Sequence, residues 1–97
     1  MTKPSPEWFV YIVETQCGVY YTGITTDVER RFKEHKDDKR RGAKFFRGKI
    51  PKVIVHRETY ENRSQASKRE AAIKKLNRSQ KQALILMSYD KNTKFIP

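Results

Sequence analysis

Apolar positions along the chain fall into short runs rather than one long one. Trp8 to Val13 (WFVYIV) is an unbroken stretch of β-branched and aromatic residues, the signature of a strand buried on both faces. Turn residues follow from Glu14 to Gly18, and Val19 to Ile24 (VYYTGI) reads as a second strand. The short separation makes the two a hairpin, with Tyr21 expected opposite Tyr11 and Tyr20 on the other face. Gly23 inside the second run signals a bulge or a close backbone approach to a ligand. Thr26-Asp27-Val28-Glu29 fits the S/T-x-x-E capping box, so a helix is predicted from there to about Lys36. Residues 37–51 (DDKRRGAKFFRGKIP) show no period and form a long basic loop. Val53 to His56 is a short third strand. Asn62 or Ser64 caps a helix through Leu76, and Ser79-Gln80-Lys81-Gln82 opens another through about Met87, leaving a loose tail. The order is ββαβαα: a small sheet covered by helices, of class α+β.

Polar residues on apolar faces are the informative part of this pattern. At about 100° per residue, Val28 and Phe32 define the core stripe of the first helix, with His35 about 20° from Val28 and Arg31 about 60° to one side. Arg30, Lys33 and Glu34 point to solvent. A guanidinium on the packing face is costly unless it meets an anion or borders a cleft. The plain alternative is that Arg31 snorkels and His35 bonds a neighbouring carbonyl. In the second helix Ala66 and Ile73 mark the apolar stripe, and Glu70 lies between them. It either pairs with Lys74 one turn on or holds a divalent ion, since Mg²⁺ commonly takes one or two carboxylates and keeps its waters. Tyr11 and Tyr21 read as cross-strand packing; a tyrosine general base must sit below its usual pKa of about 10, which a nearby cation or metal-bound water could bring about.

Composition narrows the function class. Ninety-seven residues make one domain with a small core. No apolar run approaches the length of a membrane span, and the short apolar stretch of MTKPSPEWFVYIV without a small-residue cleavage site does not read as a signal peptide. A single cysteine, Cys17, forms no internal disulfide, which suits a reducing cytoplasm. The formal charge is +11 from 22 Lys+Arg against 11 Asp+Glu. It is concentrated: residues 30–57 carry net +9 and residues 63–81 net +6, while the remainder is net −4. Two basic stretches on a neutral-to-acidic remainder are the electrostatic footprint of a nucleic-acid ligand, against the plain alternative of a solubilising surface. There is no Walker loop, no Cys/His zinc spacing and no Ser-His-Asp arrangement. Cys17 reads as incidental and His56 as structural.

Tyr11, then Tyr21-Thr22-Gly23, then Arg31 and His35 on the following helix, then a distant helical Glu70 resemble the GIY-YIG nuclease domain. The likeness covers residues 8–87, and YTGITTDVERR (Tyr21 to Arg31) is most similar to the small stand-alone bacterial proteins of that family. The chain departs from the signature at Phe9-Val10-Tyr11 and at Thr22, and the late Asn of several family nucleases has only Asn77 or Asn92 as counterparts. The resemblance implies a three-stranded antiparallel sheet and a metal-assisted phosphodiester hydrolase. Glu70 would bind one Mg²⁺ or Mn²⁺, Tyr11 accept a proton from the attacking water, and Arg31 hold the phosphoryl oxygens. Tyr21 and His35 would orient water and Tyr11, and Gly23 keep the backbone clear of substrate.

The expected substrate is nucleic acid, DNA favoured over RNA, with the branched or damaged structures met in repair among the candidates. Lys39, Arg40, Arg41, Lys44, Arg47, Lys49 and Lys74 are the candidate backbone contacts. Phe45, and Phe46 beside it, either stack on an unpaired base or pack under the loop. The alternative to an enzyme is a nucleic-acid-binding module of nuclease fold, with or without a partner protein that supplies specificity.

Overall fold

The run that begins at Trp8 forms the central strand of a three-stranded antiparallel sheet. The computed structural model describes residues 7–37 and 48–93, with backbone only from residue 89 onward. Its elements are β1 (Trp8–Thr15), β2 (Tyr20–Thr25), α1 (Val28–Asp37), β3 (Pro51–Tyr60), α2 (Arg63–Lys74) and α3 (Arg78–Thr93), and the strand order is β2-β1-β3. The expected ββαβαα order and α+β class hold.

The central position of β1 explains its unbroken apolar run: Val10, Tyr11, Ile12 and Val13 are all buried, so both faces must be apolar. Val10 and Ile12 pack with Ala66 and Ile73 of α2 and with Leu84 and Ile85 of α3. Tyr11 and Val13 pack on the opposite face with Val28 and Phe32 of α1. The sheet thus separates two small cores.

Helix ends follow local side-chain chemistry. Asp27, not Thr26, caps α1: its Oδ1 accepts from Arg30 N at 3.0 Å, and the Thr25 hydroxyl accepts from Asp27 N at 3.1 Å. Asn62 caps α2, accepting from Gln65 N at 2.9 Å. Asn77 and Gln80 exchange bonds of 2.8 and 3.0 Å across the start of α3, a reciprocal capping box that begins the helix earlier than Ser79. This use of Asn77 is structural. Helix α3 runs past Met87 to Thr93, where a loose tail was expected. At the hairpin, Gly18 has φ +84°, a left-handed conformation that favours glycine. Arg78 donates to its carbonyl at 2.7 Å and stacks over Tyr20.

β3 is ten residues long where four were expected. Its register against β1 shifts between Ile12 and Val13, which pair with His56 and Ile54 and leave Val55 as an extra residue. Such a bulge re-aims side chains: Val55 joins the α2/α3 core, and His56 faces Ser88 of α3. Glu58 is the hub beyond it. It accepts from His56 Nε2 at 2.7 Å, from Tyr60 Oη, and from Arg69 Nε and Nη2 at 2.9 and 3.1 Å. Burial pushes this carboxyl up, but the donors from Arg69, Tyr60 and His56 prevail and hold it at about 2. The other ring nitrogen of His56, Nδ1, lies 2.6 Å from Ser88 Oγ. His56 is structural, as expected: it ties α3 to the edge strand.

Candidate active site

Tyr11, Tyr21 and Gly23 share the face of the sheet that α1 covers. The register sets Gly23, not Tyr21, opposite Tyr11; Tyr21 faces Val13, so the tyrosines are diagonal neighbours with ring centroids 6.2 Å apart. The Tyr11 ring lies across Gly23. A Cβ there would stand 2.7 Å from Tyr11 Oη and 3.0 Å from Tyr21 Cε2. The glycine therefore makes room for the tyrosine rings, where the sequence suggested clearance for substrate or a bulge.

From α1, His35 reaches the same point. Its Nε2 is 2.7 Å from Tyr11 Oη, and its ring meets Tyr21 edge-on with centroids 5.2 Å apart. Burial, with the Arg31 charge beside it, lowers the His35 pKa to about 4, so the imidazole is neutral at pH 7. In the tautomer protonated at Nδ1, the Tyr11 phenol donates to the Nε2 lone pair. Tyr11 itself is pushed well above its usual value, by burial first and then by Tyr21; Arg31 opposes this, and the Glu70 charge adds to it. The depression below 10 that a tyrosine general base requires is not supplied by Arg31, because burial of the phenol outweighs it.

Arg31 is partly buried and acts on Tyr11 both as a charge and as a hydrogen-bond donor. Its Nη1 also donates to Glu34 Oε1 at 2.8 Å. Glu34 is not directed to solvent, as helix geometry suggested: its side chain is 15% exposed and it bridges Arg30 and Arg31. Sequence reasoning missed this residue, although its spacing from the two arginines was a usable signal.

Glu70 arrives from α2, on the stripe between Ala66 and Ile73. The pairing with Lys74 is present, with Oε2 3.2 Å from Lys74 Nζ, and the Glu70 charge also reaches Tyr11. Among the described residues, no three His, Cys, Asp or Glu side chains gather around a metal position. A single partly buried carboxylate fits a hard ion that keeps waters and takes further oxygens from a phosphate, not a caged structural metal. The structure therefore brings Tyr11, Tyr21, Gly23, Arg31 and His35 together, with Glu70 within electrostatic reach. Lys74 is exposed beside Glu70, and Lys49 acts on the exposed Cys17, where the Thr15 hydroxyl first, then backbone hydrogen bonds and last the Lys49 charge lower the thiol pKa. Lys39, Arg40, Arg41, Lys44, Phe45, Phe46 and Arg47 lie outside the described residues, as does the side chain of Asn92.

Two of these groups make stability depend on acid. His35 and Glu58 both have folded pKa values below their unfolded ones, so each stabilises the fold at neutral pH and loses that contribution as pH falls. For His35 the window runs from 6.5 to about 4, and for Glu58 from 4.5 to about 2. Each is worth of order 2 kcal/mol. Urea midpoints are therefore expected to fall continuously from pH 7 to pH 3, with Glu58→Gln flattening only the lower part. A midpoint unchanged between pH 7 and pH 4.5 would contradict a buried neutral His35.

The family model for the GIY-YIG catalytic domain matches residues 7–83. A UPF0213 protein of Desulfotalea psychrophila is 48% identical over 83 residues, covering 86% of this chain and 74% of its own length. A UPF0213 protein of Halobacterium salinarum is 48% identical over 75 residues, covering 77% and 95%. The solution structure of a Bacillus halodurans UPF0213 protein aligns with TM-score 0.56 at 35% identity, over 93% of this chain and 97% of that one. No helix among the described residues is long and apolar enough to cross a membrane.

Proposed function

Because this chain belongs to the GIY-YIG catalytic-domain family, a family of nucleases, we propose that it is an endonuclease that hydrolyses phosphodiester bonds in DNA with one divalent ion. The observation that carries the reading is the 2.7 Å contact between Tyr11 Oη and His35 Nε2, with the charges of Arg31 and Glu70 both acting on Tyr11. Glu70 is the residue to hold Mg²⁺ or Mn²⁺, whose role when bound is to polarise the phosphate and ease departure of the leaving oxygen.

A phenol held protonated does not serve as a standing base, but it can pass a proton on. The attacking water gives its proton to Tyr11 Oη as its oxygen bonds to phosphorus, and the Tyr11 proton moves to the neutral Nε2 of His35. The leaving oxygen departs with the electrons of the broken P–O bond and takes a proton from solvent. Arg31 neutralises the charge gathering on the phosphoryl oxygens, a role that suits a guanidinium fork. Tyr21 holds the His35 ring by its edge contact. Lys49, Lys74 and the basic residues 39–47 serve as contacts to the nucleic-acid backbone.

A cleavage time course on single-stranded, duplex, flapped and four-way DNA, and on RNA, tests this in Mg²⁺, Mn²⁺ and EDTA. We expect metal-dependent cutting of DNA that is lost in Glu70→Ala. No cutting of any substrate, with salt-sensitive binding equal in both proteins, would instead establish a binding module, since counterion release needs the basic residues but not Glu70.

A further inference from the structure

Glu34 is an acid in direct contact with Arg31 that the reaction above does not use. It sits one turn from both arginines, on the side of α1 that borders the site. Its two carboxylate oxygens are divided between Arg30 Nη1 at 3.1 Å and Arg31 Nη1 at 2.8 Å. An exposed ion pair on a helix contributes only a few tenths of a kcal/mol and does not hold a side chain in place. This one differs in burial. Glu34 is 15% exposed and Arg31 27%, while Arg30, the outer member, is 56% exposed. Arg30 is thus the solvent-side partner that balances the Glu34 charge, and Arg31 is the one held inward.

We propose that Glu34 is a positioning residue for phosphodiester hydrolysis: by taking one Nη of Arg31 it orients that guanidinium so that its other donors face Tyr11 and the scissile phosphate. The proposal rests on the nuclease reading above. A guanidinium offers five donors in a rigid fork, so fixing one end of the fork fixes where the rest point. The titratable groups coupled to this pair are Tyr11 from β1, Tyr21 from β2 and His35 from α1 itself, with Glu70 of α2 acting on Tyr11. Electrostatics agree with the geometry. Against the cost of its burial, the Glu34 hydrogen bond raises the Arg31 pKa, and the Glu34 charge supports protonation of His35, which burial and Arg31 oppose.

The test compares wild type, Glu34→Gln and Glu34→Asp in single-turnover cleavage, and follows the His35 imidazole by NMR through an acid titration. In Glu34→Gln we expect kcat to fall about tenfold or more with KM within threefold, because displacing a positioned group by about 1 Å is enough for such losses. Glu34→Asp, which keeps the charge, should recover part of the loss. In Glu34→Gln the His35 titration should also move to lower pH while the melting temperature changes by only a few degrees. Wild-type kcat in Glu34→Gln, or a His35 titration that does not move, overturns the proposal. If wild type cuts no substrate, the nuclease reading fails on its own, and the titration alone decides whether Glu34 governs the site.

Discussion

Tyr11→Phe is expected to lower DNA cleavage about a thousandfold, the range for loss of a general acid–base group, while nucleic-acid binding stays within twofold of wild type. The expectation comes from where the hydroxyl sits, not from the ring. Phenylalanine fills the same buried space against Val13, Val28 and Phe32, so the packing survives. What disappears is the Oη that meets His35 Nε2 at 2.7 Å, and with it the path for the water proton. The imidazole Nε2 then loses its bond to the phenol, at a cost of about 1–3 kcal/mol, so a melting curve must accompany the kinetics. A folded Tyr11→Phe protein that cuts at the wild-type rate would show that the phenol is not the proton acceptor.

Gly23→Ala should be nearly as damaging for a different reason. The added methyl would meet Tyr11 Oη at 2.7 Å, Tyr11 Cζ at 2.9 Å and Tyr21 Cε2 at 3.0 Å, distances at which something must shift. Neither ring is the loose end of a flexible chain. Tyr11 is 1% exposed and bonded to His35. We expect a stability loss of about 1–3 kcal/mol from overpacking and a rate loss of about a hundredfold or more from displacement of the Tyr11 hydroxyl. The double variant separates the two effects. If Gly23→Ala acts through Tyr11, adding it to Tyr11→Phe should cost little further activity although it still lowers the melting temperature. Additive losses in rate would mean that Gly23 serves the substrate directly.

Much of this arrangement was legible in the amino-acid order. The run WFVYIV marks a strand buried on both faces, and the helical positions of Arg31, His35 and Glu70 single out polar groups where apolar ones belong. What escaped has identifiable causes. β3 is an edge strand whose outward positions are Lys52, Arg57 and Thr59, so only its four central residues looked like a strand. The hairpin register depends on a turn held by Thr15, whose hydroxyl accepts from Val19 N at 3.0 Å, and no spacing rule fixed it. That slip concealed the role of Gly23, since only with Gly23 opposite Tyr11 does the ring lie across the backbone. Glu34 was assigned to solvent because helical angles give direction but not length; its side chain folds back along the helix to both arginines. The raised Tyr11 pKa was not legible because it depends on depth of burial as much as on charge.

The site also has an uneven ancestry along the chain. Tyr11, Tyr21, Gly23, Arg31 and His35 come from one continuous stretch, with a sequence separation of only 24 across the Tyr11–His35 bond, whereas Glu70 comes from a helix formed much later in the sequence. A hairpin and the helix after it can assemble from nearby contacts, which form quickly because little loop entropy must be overcome. The carboxylate comes into place only when α2 docks on the far core through Ala66 and Ile73. Inheritance can act on the two parts separately. In the nuclease reading, losing the acid in α2 would leave a folded, basic domain with its tyrosine–histidine pair intact, so that cutting and holding would differ by one side chain.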